Sequence, residues 1–252
     1  MRIAFVGKGG AGKSAIAGTF ARLLAQRGEP VLVLDSDPLP GLAYSLGMDS
    51  TDAGIPDEAV MENPEEGGPR YILREGLTAA DAVEQYAAEG PDGVRVLQFG
   101  KIHDAGRGLM RSQFAYRQIT GQLPDDKWSI VGDLPGGTRQ PFLGWGRYAT
   151  TVLVVVEPMA KSLLSARRLA RLQLIDDPPR VVALANKVRD EGDVEMVAER
   201  TGLEVIGAVP LDDAMAEADR RGRPVVEDAR DSPVVKAIDS LVERLRAEEE
   251  TA

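Results

Sequence analysis

The glycine-rich run Gly7-Lys8-Gly9-Gly10-Ala11-Gly12-Lys13-Ser14 places two lysines and a hydroxyl within eight residues. It satisfies G-x-x-x-x-G-K-[ST], a loop whose backbone N–H groups turn inward around phosphate. Lys13 is expected to reach the β- and γ-phosphates of a nucleoside triphosphate, and the Ser14 hydroxyl to ligate Mg²⁺. Gly9, Gly10, Ala11, Gly12 and Ala15 complete the expected phosphate cradle. Such a match carries weight only between a strand and a helix. Arg2 to Val6 reads as a short buried strand, and Ser14 to Gln26 carries Ile16, Phe20, Leu23 and Leu24 at helical spacing. The positive end of that helix would add to the attraction for phosphate.

Three further segments follow apolar strands and hold suitable groups. Asp35-Ser36-Asp37-Pro38 follows Val31 to Leu34; Asp37 could orient or activate an attacking water, and Asp35 is grouped with Ser14 at the metal. Asp133-Leu134-Pro135-Gly136-Gly137 follows the strand Trp128 to Val131. Asp133 would hold Mg²⁺ through water, and the glycines would let the segment respond to the γ-phosphate. Taken singly, each is more often a turn or loop than a site, but their order behind successive strands favours the site. Asn186-Lys187-Val188 follows Val181 to Leu184, where Asn186 could hydrogen-bond an adenine edge or serve as a turn or cap residue. Guanine-reading loops of this kind run N-K-x-D; Arg189 stands in place of the aspartate, so adenine is favoured.

Positioning these groups requires a strand–helix alternation, and it runs along almost the whole chain. Leu77 to Ala88, Leu109 to Leu123, Ser162 to Leu174, Asp193 to Thr201 and Ser232 to Arg246 read as helices. Val94 to Phe99, Thr151 to Val156 and Leu203 to Ile206 read as further strands. Short buried strands between amphipathic helices predict an α/β fold, a single P-loop domain over residues 1–252 with a mostly parallel sheet covered on both faces. Residues 39–69 break the pattern. Leu42 to Pro69 contains no Lys or Arg, and the stretch is expected to be a mobile acidic insertion.

Composition narrows the chemistry. The 252 residues are 43% hydrophobic and 28% charged, enough for a sizeable core. The formal charge of −10 argues against non-specific binding to nucleic acid or to an anionic membrane. Cysteine is absent, which excludes disulfides, Cys-bound nickel or zinc, and iron–sulfur ligation within the chain. The single histidine, His103, argues against a histidine metal site or triad and reads as a surface or loop residue. With Met1-Arg2 leading directly into the first strand, no secretory leader is expected and a cytoplasmic location is.

Together these residues resemble the deviant Walker ATPases, the group that contains MinD, ParA and the nitrogenase iron protein. The signature K-G-G-x-G-K-[ST] is matched from Lys8 to Ser14. The resemblance implies that Lys8 crosses a dimer interface to the partner's nucleotide and couples hydrolysis to ATP-dependent homodimerisation. Within the group the chain is most similar to the CooC family of carbon monoxide dehydrogenase maturation ATPases. That similarity rests on Val154 to Pro158, Lys161-Ser162-Leu163, Asn186-Lys187-Val188 and Gly207-Ala208-Val209-Pro210 with Asp212. It places Asn186, Lys187, Pro210 and Asp212 among the nucleotide-binding residues. The Cys-x-Cys pair of that family has no counterpart: Leu109 and Arg111 stand at the two ligand positions, and neither can bind nickel or zinc in that way.

The resemblance implies a slow ATP hydrolase, stimulated by dimerisation or a partner, that serves as a maturation or chaperone-like accessory to a client protein. A positioning or partition ATPase of the MinD/ParA kind is the alternative, as is a regulatory module whose signal is nucleotide occupancy. The apolar stripe Val235, Ile238, Leu241, Val242 and Leu245 ends in Glu248-Glu249-Glu250, which favours a core-docked helix over a membrane-binding one.

Overall fold

The computed structural model describes residues 1–37, 41–49, 54–65, 67–98 and 107–251, with side chains from 111 onward in the last segment. His103 lies outside these residues, as do the side chains of Leu109 and Met110. Ten strands and ten helices are assigned within them. In chain order they are β1 (Arg2–Gly7), α1 (Lys13–Ala25), β2 (Val31–Asp35), α2 (Leu42–Leu46), β3 (Val60–Glu62), β4 (Tyr71–Leu73) and α3 (Ala79–Tyr86). There follow β5 (Ala88–Glu89), β6 (Arg95–Gln98), α4 (Arg107–Gly121), β7 (Ser129–Asp133), α5 (Arg139–Phe142), β8 (Thr151–Val156) and α6 (Ala160–Leu169). The chain closes with β9 (Arg180–Val188), α7 (Glu191–Thr201), β10 (Val205–Pro210), α8 (Asp213–Arg221), α9 (Val225–Asp228) and α10 (Pro233–Glu250).

Eight strands form one sheet in the order β10-β9-β8-β1-β7-β2-β6-β5, parallel throughout except where β5 meets β6. Side-chain alternation explains why helices must cover both faces. Ala4, Val6, Leu32, Leu34, Val152 and Val154 enter one buried cluster, shared with α3, α4, α6 and α7. Their neighbours Ile3, Phe5, Val31, Val33, Leu153 and Val155 enter the other, shared with α1, α9 and α10. Strands buried on both faces carry few polar residues until their carboxyl ends, so the polar side chains collect there. β1, β7 and β2 are adjacent, and their register sets Asp133 beside both Phe5 and Asp35.

Three sequence expectations need correction. The stretch 39–69 is not simply a solvated loop. Leu42 and Leu46 of α2 are buried, as are Ile55, Ala59 and Val60, and β3 pairs with β4 as an antiparallel hairpin. The absence of Lys and Arg hid a short apolar skeleton inside an acidic segment, and α4 holds that skeleton. Arg111 donates to the Val60 carbonyl at 3.0 Å and lies over the Tyr71 ring at 5.2–5.5 Å together with Arg70. The helix expected to run to Leu174 leaves α geometry after Leu169 and continues as a 3-10 turn, Ala170–Leu174. Finally, β9 extends through Val188, so Asn186 and Lys187 lie in the strand and not in a turn after it. α10 docks as expected: Val234, Val235, Ile238, Leu241, Val242 and Leu245 are buried.

Candidate nucleotide site

The loop between β1 and α1 has the backbone its glycines permit. Gly12 caps α1 in a left-handed conformation, φ 89°, and a Cβ there would meet the Asn186 amide nitrogen at 2.6 Å. Gly7 is equally constrained, since a Cβ would lie 2.5 Å from the Val155 carbonyl. Because α1 begins at Lys13 without a side-chain cap, its first N–H groups are left for an anion. Lys13 itself is buried, while the Lys8 ammonium donates to the adjacent Gly9 carbonyl at 3.0 Å.

Around the loop the structure gathers the other strand ends. Ser14 and the Lys13 charge lie close enough to Asp133 to favour its ionised form, and Asp35 is its neighbour across the sheet. The segment after Asp133 folds back onto the loop: Gly137 N–H donates to the Gly7 carbonyl at 2.9 Å, and Gly136 lies against Gly9. Asp35 and Asp133 are 1% and 2% exposed, too deep for water to stabilise their charge. Burial and the neighbouring Asp133 carboxylate push Asp35 up to about 8. Burial also pushes Asp133 up to about 6, against the pull of Ser14 and Lys13. One oxygen of each, Oδ2 of Asp35 and Oδ1 of Asp133, has no hydrogen-bond partner. Asp35 Oδ1 accepts from the Asp37 backbone N–H at 3.1 Å, and the Asp37 charge acts on both buried carboxylates.

Two orphaned buried carboxylate oxygens beside a serine hydroxyl fit a divalent cation. A small, hard ion that takes a few protein oxygens and completes its shell with phosphate and water suits this donor set. Among the described residues no cluster of three or more His, Cys, Asp or Glu could hold a metal by protein groups alone.

A cavity of about 460 Å³ extends from Gly12, Lys13 and Ser14 to a second wall made by Pro210 at the end of β10 and by Leu211 and Asp212 after it. Gly10, Ala15, Asn186 and Lys187 line it too, so the predicted phosphate-binding residues other than Gly9 and Ala11 share one space with the predicted base-contacting ones. A larger cavity, about 1030 Å³, lies under the segment 141–150 and contains no residue of the loop. The larger cavity therefore lies apart from the candidate site, which the loop and the orphaned carboxylates mark.

The structure also shows what Asn186 and Lys187 touch. Asn186 Nδ2 donates to the Ala11 carbonyl at 2.7 Å. Lys187, at φ 58°, donates to the Gly10 carbonyl at 3.1 Å and pairs with Glu157 at 2.7 Å. Both therefore brace the phosphate loop from β9. Asp212 caps α8, accepting from Ala214 N–H at 2.8 Å, and its other oxygen is buried without a partner. The sequence assigns no task to Glu157, Ser36, Tyr116 or Tyr148; Glu157 meets Lys187, and Ser36 meets Asp133, only across the fold.

Among the described residues no helix is long and apolar enough to cross a membrane. The family model of the CobQ/CobB/MinD/ParA nucleotide binding domain matches residues 3–225. An uncharacterised ATP-binding protein of Methanocaldococcus jannaschii is 27% identical over 261 residues, covering 98% of this chain and 99% of its own. The carbon monoxide dehydrogenase accessory protein CooC of Rhodospirillum rubrum is 28% identical over 235 residues, 88% of each chain. Among solved structures, the septum site-determining protein MinD of Pyrococcus horikoshii, complexed with Mg-ADP, superposes with a TM-score of 0.72. The sequence identity is 19%, over 96% of this chain and 94% of that one.

Proposed function

The chain belongs to the CobQ/CobB/MinD/ParA nucleotide-binding family, and from that membership we propose that it is a Mg-ATP-dependent ATPase switch that closes as a homodimer. The observation that carries the reading is the pair of orphaned buried oxygens on Asp35 and Asp133 beside Ser14 and Lys13. Such charges are costly without a cation, and a phosphate-bound cation is the natural one at the mouth of a phosphate loop.

In this mechanism the loop N–H groups and Lys13 bind and orient the β- and γ-phosphates. Ser14, Asp35 and Asp133 would hold Mg²⁺, the last through water. Held there, the ion would supply positive charge to the phosphate oxygens. Asp37 orients the attacking water. Gly136, seated on Gly9, conveys the presence or loss of the γ-phosphate to the segment after β7. Adenine lies along Pro210 and Asp212, with Asn186 bracing the loop beside it. Lys8 swings from its own Gly9 carbonyl to a partner's nucleotide; Met159 and Leu164, exposed behind the carboxyl end of β8, offer apolar surface for that contact.

The role in the cell is that of an accessory ATPase to a client protein, without cysteine-held metal. Similarity to CooC over 88% of the chain supports this. Membrane positioning is disfavoured, because the apolar stripe of α10 is spent on the core.

Phosphate release and light scattering with Mg-ATP test the proposal together. Wild type should hydrolyse ATP slowly, Lys13→Ala should lose turnover by about a hundredfold or more, and Asp37→Ala should accumulate as a stable ATP-bound dimer. A monomer under every nucleotide condition would sink the dimer switch. Turnover unaffected by Lys13→Ala would sink the site.

A further inference from the structure

The helix layer on the face away from α1 carries a separation of charge that the nucleotide site does not use. Residues 158–175 hold the cations Lys161, Arg167, Arg168 and Arg171 and no Asp or Glu, in a chain with 40 acidic residues. The stretch folds as α6 and the 3-10 turn after it, which bury Ser162, Ala166, Leu169 and Leu172 and leave all of those cations exposed. α7 is the reverse. Its Glu191, Glu195 and Glu199 recur every fourth residue as one exposed stripe, while Val197 and Thr201 turn to the core. Arg200, in the last turn, falls off that stripe by the helical period. α6 and α7 pack side by side. Among the described residues, however, no ion pair joins them, and none of these charged side chains pairs with any other.

Exposed charge is ordinarily solvated, but two opposite stripes side by side limit what can cover them. A nucleic acid, an anionic membrane or an acidic peptide drawn to α6 meets the glutamates of α7 and a net charge of −10. A cationic partner fails at α6 for the same reason. The surface that answers both stripes carries the same pair in reverse order. A second copy of this chain, turned by a two-fold axis, presents it by construction: α6 faces the copy's α7, and α7 the copy's α6. Both helices run back from the carboxyl ends of parallel strands, so the axis sets them antiparallel to those of the copy. Arg167, Arg168 and Arg171 lie on the half of the α6 stretch remote from those carboxyl ends, as Glu195 and Glu199 do on α7. An axis through that half leaves Met159, Leu164 and the phosphate loop uncovered.

We propose that the α6–α7 face is a docking surface for a second copy of this chain, held by the cations of α6 against the glutamates of α7 and distinct from the contact made at the nucleotide end. It requires no nucleotide and does not rest on the ATPase reading above. The helices have 10 and 11 residues. At about 1.5 Å per residue and about 10 Å between axes they offer a face of about 350 Å² per copy. Stable complexes bury about 800 Å² per partner, so this contact is weak and reversible. Its attraction is that of exposed charges, which salt screens. With a nucleotide-driven dimer at the other end, two different two-fold contacts on one chain would link copies beyond a pair.

Charge exchange tests it, read by sedimentation of the full chain without nucleotide over a range of concentrations. At low salt the average mass of wild type should rise with concentration toward twice the monomer value. In about 1 M salt, where charges are screened beyond about 3 Å, it should return to the monomer. One variant carries Arg167→Glu, Arg168→Glu and Arg171→Glu; the other carries Glu191→Lys, Glu195→Lys and Glu199→Lys. Each alone should associate at least about tenfold more weakly than wild type, because like charges then face each other. An equimolar mixture of the two should associate as wild type does, since each chain now supplies the stripe that the other lacks. Should either triple variant fail to fold, Arg168→Glu and Glu195→Lys alone and mixed make the same test. Wild type that stays monomeric at low salt overturns the proposal, as does association that the mixture fails to restore. Binding of a DNA duplex or of phosphatidylglycerol vesicles that the arginine reversal abolishes, without self-association, would make α6 a polyanion surface and also overturns it.

Discussion

The carboxylate pair and the β9 wall of the nucleotide cavity are built on opposite electrostatic plans. At the phosphate end Asp35 and Asp133 are buried side by side, each with an oxygen lacking a partner. Along the β9 wall the polar groups are paired: Asn186 on Ala11, and Lys187 on Gly10 and Glu157. The carboxylate pair is held in a costly state that a cation relieves, whereas the β9 wall is a finished frame. Ligand-dependent stability should therefore originate at the carboxylates, and loop rigidity at β9. A switch needs both, because a site that was already satisfied would gain little from its ligand.

Neutralising one carboxylate should break this contrast most visibly. Asp133→Asn keeps an acceptor for Ser14 and removes a charge that burial disfavours. The nucleotide-free protein should become more stable by about 1–3 kcal/mol at pH 7, measured by urea denaturation. The same variant should lose most of the added stability that Mg-ATP gives to wild type. Destabilisation of the free protein would show that Asp133 is already compensated by Lys13.

The pH dependence sharpens the point. Both carboxyls titrate above their ordinary value, at about 8 for Asp35 and about 6 for Asp133. Between about pH 4 and 8 the native state thus binds more protons at these groups than the unfolded chain does, so they make stability fall as pH rises. In metal-free buffer the urea midpoint of wild type should decline from pH 5.5 to 8.5. Asp35→Asn should flatten that decline, and Mg-ATP should oppose it, since a cation replaces the protons. A wild-type midpoint that climbs with pH would contradict the arrangement.

What could be read from the sequence divides along the same line. Lys13, Ser14, Asp35 and Asp133 are adjacent to strand ends, and apolar runs locate strand ends well, so local pattern sufficed to group them. The sheet followed from the same runs. Glu157 and Ser36 work through partners 30 and 97 positions away, distances that only the folded sheet closes. The β3–β4 hairpin escaped for another reason. Three-residue strands carry almost no periodicity, and the acidic residues between them outweighed Ile55, Val60 and Leu73. β9 ran past its expected end because Asn186 and Lys187, polar residues, stay in the strand to reach the loop beside it.

The smallest effect belongs to the finished frame. Glu157 is 8% exposed, receives the Lys187 ammonium, and its backbone N–H donates to Ser162 Oγ at 3.0 Å. Glu157→Gln leaves shape and an acceptor in place while removing the charge that draws Lys187 across the Gly10 carbonyl. Lys187 is itself substantially solvated, so the exchange should cost about 0.5–1.5 kcal/mol. Expressed in ATP binding, that is a two- to tenfold weaker KM with kcat nearly unchanged, measured beside the Asp133→Asn protein. The two variants then separate the carboxylate pair from the β9 wall by kind of effect: one alters how stability depends on Mg-ATP, the other only how tightly the loop is held. A kcat loss in Glu157→Gln as large as its loss in affinity would mean that the β9 brace tightens in the transition state, and that the frame is part of the switch.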